Sequence, residues 1–367
     1  MRNAAIINAI EKFAPASLQE KWDNTGLQLG SLHDQCTGVM ICFDVTPEVV
    51  DEAIASGCNL IIGHHPLFFS PLKSLTASTL SGEVALKAIA AGVSIYCSHT
   101  ATDSTVGGVS YTLASLLGVD PIRALDPAAD QLVRLTVTVP TDRAEEVRAA
   151  LFDGGAGALG DYDGCSFNTE GYGTFRALEG ADPYAGTIGE DHVEDETQIS
   201  VVLMRRDMAR VESLLLEVHP YEEPAYQFTP MLNRMRRHGL GIYGTLDEPL
   251  PAVDLISRVK GRLGTPMLRT TAMPDDPEMK IHRVALCGGA GHDLIGKAIA
   301  AGAQAYITAD LKYHDFVEYS GRILLIDAGH FETEAPIKQV FANEIQKAFP
   351  DIKVVLTATD DNPVRYC

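Results

Sequence analysis

No window of this 367-residue chain approaches the apolar length that a membrane-spanning helix needs, although hydrophobic residues make up 46% of it. The opening run Met1 to Glu11 lacks the long apolar core and small-residue cleavage site of a secretory signal. It reads instead as an amphipathic helix, so a cytoplasmic location is expected. The seven cysteines are scattered and form no Cys-x-x-Cys pair, which argues against a disulfide framework and against a zinc–thiolate site. Cys42, Cys58, Cys97 and Cys287 lie in apolar runs and read as small buried hydrophobes. Positive charge is scarce: 29 Lys and Arg against 49 Asp and Glu give a formal net charge of -20. A general nucleic-acid or anionic-membrane surface is therefore not expected, whereas an anionic small molecule stays open because a bound metal can supply local positive charge.

Common catalytic signatures are also missing. There is no His-Glu-x-x-His and no Gly-x-Ser-x-Gly nucleophile elbow. Where a metallophosphoesterase would carry Asp-x-His, the chain reads Asp44-Val45-Thr46. The stretch Cys287 to Asp293 lacks the third glycine of a dinucleotide fingerprint and the lysine of a P-loop, and is expected to be a plain strand-to-helix turn.

What the chain does contain is a recurring unit. Glu52 to Gly57 leads into Cys58 to His65, Lys87 to Gly92 into Val93 to His99, and Lys297 to Gly302 into Ala303 to Asp310. Each reads as a helix stopped by glycine and followed by a short apolar strand, the pattern of a sheet covered by helices on both faces. Convergence on a common helix–strand loop would produce the same pattern, so duplication does not follow. Polar residues arrive at nearly the same offset after each stop glycine: His64 and His65, then His99, then Asp310. A fourth strand, Arg322 to His330, also ends on histidine, and ligands of open α/β sheets bind outside the carboxyl ends of the strands.

Between the two αβ regions the pattern changes. Leu132 to Val139 alternates like a half-buried strand, Thr141 to Leu151 reads as a capped amphipathic helix, Gln198 to Met204 as a second strand and Met208 to His219 as a second helix. The glycine- and aspartate-rich Gly154 to Gly189 segment is expected to hold loops and short strands. Together these predict an inserted ferredoxin-like α+β domain at 131–231, between αβ parts at 1–130 and 232–367.

Five residues then carry the metal chemistry: His64, His65, Asp103, His330 and Glu334. His330 and Glu334 face the same way if the helical turn at Thr333 starts early. Three imidazoles and two carboxylates suit zinc, iron, manganese or cobalt, and so many donors point to two ions with a bridging carboxylate. His99 is either a sixth donor or a support behind the ligands. His99, Asp310 and His314 are candidate proton carriers, although for each a structural role is expected ahead of a catalytic one.

These residues resemble the NIF-three-like family along almost the whole chain. The resemblance rests on Trp22 to Leu27, Phe43 to Glu48, Gly63-His-His-Pro-Leu67, His99 to Asp103, Thr308 to His314 and Asp327 to Glu334. The inserted segment is similar to that of the family's longer branch through Cys165 to Phe167, Gly173 to Arg176 and His219-Pro-Tyr-Glu-Glu-Pro224, the last similar to a motif of CutA-like and PII-like domains. The loop reads His-Thr-Ala-Thr-Asp where the family usually has His-Thr-Asn-Leu-Asp, and Thr308-Ala-Asp310 stands where Thr-Gly-Asp is usual. The resemblance implies an α/β fold of two related αβ regions forming one metal-binding domain. It implies metal ligands at His64, His65, Asp103, His330 and Glu334, with Glu334 bridging two divalent ions (zinc, iron or manganese), and a toroidal homohexamer. It further implies metal-dependent hydrolysis of the GTP cyclohydrolase I type 2 kind. A non-enzymatic regulatory hexamer, whose inserted domain senses a small molecule such as a nucleotide, is the alternative.

Overall fold

The computed structural model describes residues 1–272, 279–359 and 362–365. The chain forms two compact units, one of Met1–Ala128 with Arg236–Cys367 and the other of Ala129–Met235. The sequence pattern had placed the changeovers at 130/131 and 231/232. No helix among the described residues is long and apolar enough to cross a membrane.

The first unit begins with the strands β1 (Gly26–Leu29), β2 (Val39–Ile41), β3 (Leu60–Gly63), β4 (Ser94–Cys97) and β5 (Val119–Pro127). The second unit supplies β6 (Leu132–Pro140), β7 (Ser166–Arg176), β8 (Asp191–Met204) and β9 (Tyr226–Pro230). The chain then returns to the first unit through β10 (Gly239–Pro251), β11 (Arg269–Thr270), β12 (Lys280–Ala290), β13 (Ala305–Ala309), β14 (Leu324–Asp327) and β15 (Val354–Leu356).

Two sheets organise the first unit. One runs β1-β4-β3-β2-β15 and is parallel except for β1; the other runs β11-β14-β13-β12-β10-β5, with β12, β13 and β14 parallel. Alternation within a strand explains why both faces of the first sheet are apolar. Leu60 and Ile62 of β3 pack with Ile6, Ile10, Phe341 and Ile345 of two helices, while Ile61 between them packs with Val49, Val50, Val84 and Ala88 of two others. Each such burial contributes about 1.5–3 kcal/mol. The helices at Pro47–Ala55, Leu80–Ala91 and Ile295–Ala300 are each followed by a glycine in the left-handed region, Gly57, Gly92 and Gly302, as the repeated unit requires. Although β15 and the helix Ile337–Ala348 come from the chain's second half, they pack onto the first sheet, which ties the two αβ regions into one unit.

The inserted unit is one antiparallel sheet, β7-β8-β6-β9, with helices at Ala144–Asp153 and Met208–Val218 packed on it through Val147, Leu151, Val211 and Leu215. That order is the ferredoxin-like arrangement. Three expectations are corrected here. The Gly154 to Gly189 segment holds the 11-residue strand β7 rather than short strands alone, and β8 begins at Asp191 rather than Gln198. Most β7 residues are exposed, so the strand shows no apolar alternation to read. Thr141 caps no helix: its hydroxyl bonds that of Thr197, and the helix starts at Ala144 after a single tight turn. The six described cysteines are all free thiols.

Candidate metal centre

The strand ends of both sheets meet in one cluster. β3 is buried throughout, and the peptide N–H groups of His64 and His65 both donate to the Phe43 carbonyl, which bends the chain sharply at the strand's end. His64 is fully buried, and its ring stacks on Phe43 at 5.6 Å between centroids and 17° between planes. Its Nδ1 donates to the Ser98 carbonyl at 3.0 Å. His65 donates from Nδ1 to Asp44 Oδ1 at 2.8 Å. Beyond β4, His99 donates from Nδ1 to Asp23 Oδ1 at 2.9 Å. From the second sheet, His330 donates from Nδ1 to Asp310 Oδ2 at 2.7 Å. A neutral imidazole that donates through Nδ1 keeps its lone pair on Nε2, and all four present that atom to the same space.

The carboxylates close the cluster. Glu334 is 4% exposed, and its Oε2 lies 3.0 Å from His330 Nε2, 3.2 Å from His65 Nε2 and 3.6 Å from His64 Nε2. Asp103 Oδ1 lies 3.6 Å from His64 Nε2. Such separations match the edge of a ligand tetrahedron, about 3.3 Å for metal–ligand bonds of ~2.0–2.1 Å. Three overlapping sets, His64-His65-His99, His65-His330-Glu334 and His64-Asp103-Glu334, each have ligand atoms within 4.8 Å of one another. Among the described residues, His64 Nε2 and Asp103 Oδ1 are buried without a hydrogen-bond partner, an arrangement that costs free energy unless a cation answers both. This donor set fits divalent metal ions.

Local chain geometry makes the approach of Glu334 possible. The helical turn begins at His330, three residues ahead of Thr333, so His330 and Glu334 stand one turn apart on the same face. Gly289 lies in the left-handed region at φ 60°, and a Cβ there would stand 2.0 Å from Glu334 Oε1. Thr333 holds this floor in place, its hydroxyl accepting from the Gly289 N–H at 3.0 Å and donating to the Gly329 carbonyl. Asp103 sits in a short helix, Thr100–Asp103, rather than in the expected loop.

Charge couples these groups in the metal-free protein. Burial opposes a charge on His65, but Asp44 and Glu334 outweigh it and hold the imidazole up at about 10. His330 is raised to about 9 against its burial by Glu334 and Asp310. Burial and the neighbouring Glu334 push the Asp103 carboxyl up, while the imidazoles hold Glu334 down in spite of its burial. Asp23 is likewise held low against burial, by His99, the Thr100 hydroxyl and the Asn24 N–H.

A profile of the Duf34/NIF3 (NGG1p interacting factor 3) family matches residues 1–363. The chain belongs to the Duf34/NIF3 family. A relative from Halalkalibacterium halodurans, named GTP cyclohydrolase 1 type 2 homolog, is 34% identical over 367 residues and 98% of either chain. One of the same name from Mycobacterium tuberculosis is 36% identical over 340 residues, 92% of this chain and 89% of its own. The crystal structure of a Bacillus cereus protein related to NIF3 matches with a TM-score of 0.88 at 32% identity, over 100% of this chain and 99% of that one.

In this Duf34/NIF3 protein the structure brings His64, His65, Asp103, His330 and Glu334 together and adds His99 to them. Asp310 stands one step back, behind His330, in the left-handed region at φ 56°. His314 is exposed on the helix Tyr313–Tyr319, where its ring contact is with Tyr313. Sequence reasoning assigned no role to Asp23, Asp44 or Gly289. Asp44 had been weighed as the start of an absent Asp-x-His and lay in the family-like Phe43 to Glu48 run, as Asp23 lay in the Trp22 to Leu27 run, with no partner for either to suggest its task.

Proposed function

We propose that this Duf34/NIF3 protein holds two divalent metal ions and is a metal-dependent hydrolase. The observation that carries this reading is the convergence of four imidazoles, each tied at Nδ1 to an oxygen, three of which (His64, His65 and His330) bring Nε2 within 3.6 Å of the buried Glu334 carboxylate while His99 groups with His64 and His65. His65, His330 and Glu334 would hold one ion and His64, Asp103 and Glu334 the other, with Glu334 shared. Zinc, iron and manganese all suit this nitrogen and oxygen set. Bound ions of this kind supply Lewis acidity and let a water ionise near neutral pH.

The chain's own residues orient and protect that chemistry. Asp44 and Asp310 fix the tautomer and tilt of His65 and His330. His99, held by Asp23, offers Nε2 at the edge of the cluster to take or return a proton. A cavity of about 420 Å³ opens beside His65 and His330, with Phe43 and Phe331 in its wall. Its size suits a small-molecule substrate. The name shared by the relatives makes opening of the GTP imidazole ring, with release of formate, the first reaction to test.

Protein loaded with zinc, manganese or iron should consume GTP and release formate, and the His64→Ala, His65→Ala double variant should lose metal and turnover together. No turnover with any of the three metals would overturn the cyclohydrolase reading. Full metal content in the double variant would overturn the ligand assignment. The family resemblance also supports a toroidal homohexamer in the cytoplasm, which analytical ultracentrifugation and cell fractionation would test.

A further inference from the structure

The Ala129–Met235 unit contains a cavity of about 600 Å³ that the metal chemistry does not use. Its volume lies within the range of small-molecule sites, roughly 300–1,000 Å³. Three aromatic rings stand in its wall. Tyr221 is central, 6.0 Å from the Phe175 ring and 6.2 Å from the Tyr184 ring. Three carboxylates share the wall: Glu196, Glu222 and Glu223. Among the described residues none of the three meets a cationic side chain. Glu196 accepts from the Tyr221 hydroxyl at 2.9 Å, and Glu222 accepts from the Asp182 N–H at 2.7 Å. The guanidinium at the rim, Arg176, is already paired with Asp191, its Nε 2.7 Å from Oδ1.

The backbone is shaped to hold this arrangement. A Cβ on Gly173 would stand 2.6 Å from the Glu196 carboxylate, so glycine lets that side chain lie across β7. His219 donates from Nε2 to the Thr138 carbonyl and accepts at Nδ1 from the Tyr221 N–H, which pins the start of the Tyr221 to Glu223 segment. The motif His219-Pro-Tyr-Glu-Glu-Pro224 thus serves as an anchor followed by wall residues.

We infer that this cavity binds a small organic cation, an ammonium or guanidinium on an aryl or alkyl body. Ring faces carry negative charge density that attracts cations, and carboxylates not already answered by a cation supply the matching charge. A free anion would meet three carboxylates and a guanidinium already neutralised by Asp191, so charge complementarity selects the cation. The rings favour an apolar body over a hydrated metal ion.

The test uses the full-length protein and phenethylamine, followed by calorimetry. One molecule should bind per chain, about tenfold more tightly than neutral 2-phenylethanol, and 3-phenylpropionate should not bind. Glu196→Gln keeps an acceptor for the Tyr221 hydroxyl and should weaken phenethylamine about tenfold without moving the thermal midpoint. Binding should survive in His65→Ala, which separates this site from the metal centre. Failure to saturate, equal binding of amine and alcohol, an unweakened Glu196→Gln that folds like the parent, or loss of binding in His65→Ala would each overturn the inference.

Discussion

Two regions of this chain gather carboxylates beside rings, and they do it in opposite ways. At the ends of β3 and β14 the buried Glu334 is met by the Nε2 atoms of His64, His65 and His330. In the inserted unit Glu196 is met by a phenol, and Glu222 by a backbone N–H. Imidazoles held at Nδ1 bring lone pairs, and lone pairs converging with carboxylates suit a metal ion. Phenyl and phenol rings bring π-faces and at most a hydroxyl, with no ring lone pair to offer a metal, and π-faces suit an organic cation. The nature of the ring, more than the number of carboxylates, therefore separates the two regions.

The largest expected effect comes from removing the shared carboxylate. Glu334→Ala should abolish stoichiometric metal binding, read by elemental analysis of dialysed protein, since both proposed donor sets lose a ligand. Two ions retained per chain would mean that Glu334 does not distinguish the regions as argued. Next in size is Asp44→Asn, which leaves an oxygen near His65 Nδ1 but removes its charge. Metal affinity in competition with a chelator should fall about 10–100-fold, and an unchanged affinity would show that His65 needs no carboxylate behind it.

Gly289→Ala forces a Cβ against Glu334 from a left-handed backbone. It should destabilise the protein by about 1–3 kcal/mol in denaturant titrations. Wild-type stability would mean that the floor beneath Glu334 gives way freely. The pH response of the metal-free protein should follow. His65 and His330 have folded values raised to about 10 and about 9 from the usual 6.5. The folded state therefore binds more protons than the unfolded one, and this stabilisation is complete below pH 6.5 and fades as pH climbs through 9 to 10. The melting temperature of chelated protein should fall over that window while that of metal-loaded protein holds. Parallel curves would sink the coupling. The smallest effect belongs to the inserted unit. Glu222→Gln keeps an acceptor for the Asp182 N–H and should shift stability by no more than about 0.5 kcal/mol, with metal content unchanged.

Much of this was legible before any coordinates, because the signals are local. A glycine that stops a helix and leads within a few residues into an apolar run, as Gly57 leads into Leu60-Ile61-Ile62, marks a short strand, and His64 and His65 follow that run at once. The five proposed ligands could be picked out because each ends or follows such a strand. Asp23 and Asp44 could not, since a carboxylate's task depends on which imidazole reaches it, and His99 lies 76 positions from Asp23. β7 was missed for a different reason: a mostly exposed strand carries no hydrophobic period.

From composition and pattern alone, this chain had to be an α/β protein with an α+β insertion and histidines at its strand ends. Apolar periodicity and glycine stops act over a few residues and need no distant partner. Folding added what depends on distance: Nδ1 of each imidazole engaged and Nε2 turned inward, Gly289 lying under Glu334, and three rings brought up to three carboxylates in the inserted unit. Hydrogen bonds and charge interactions act over a few ångströms in space, and only the packed chain sets which groups come that close.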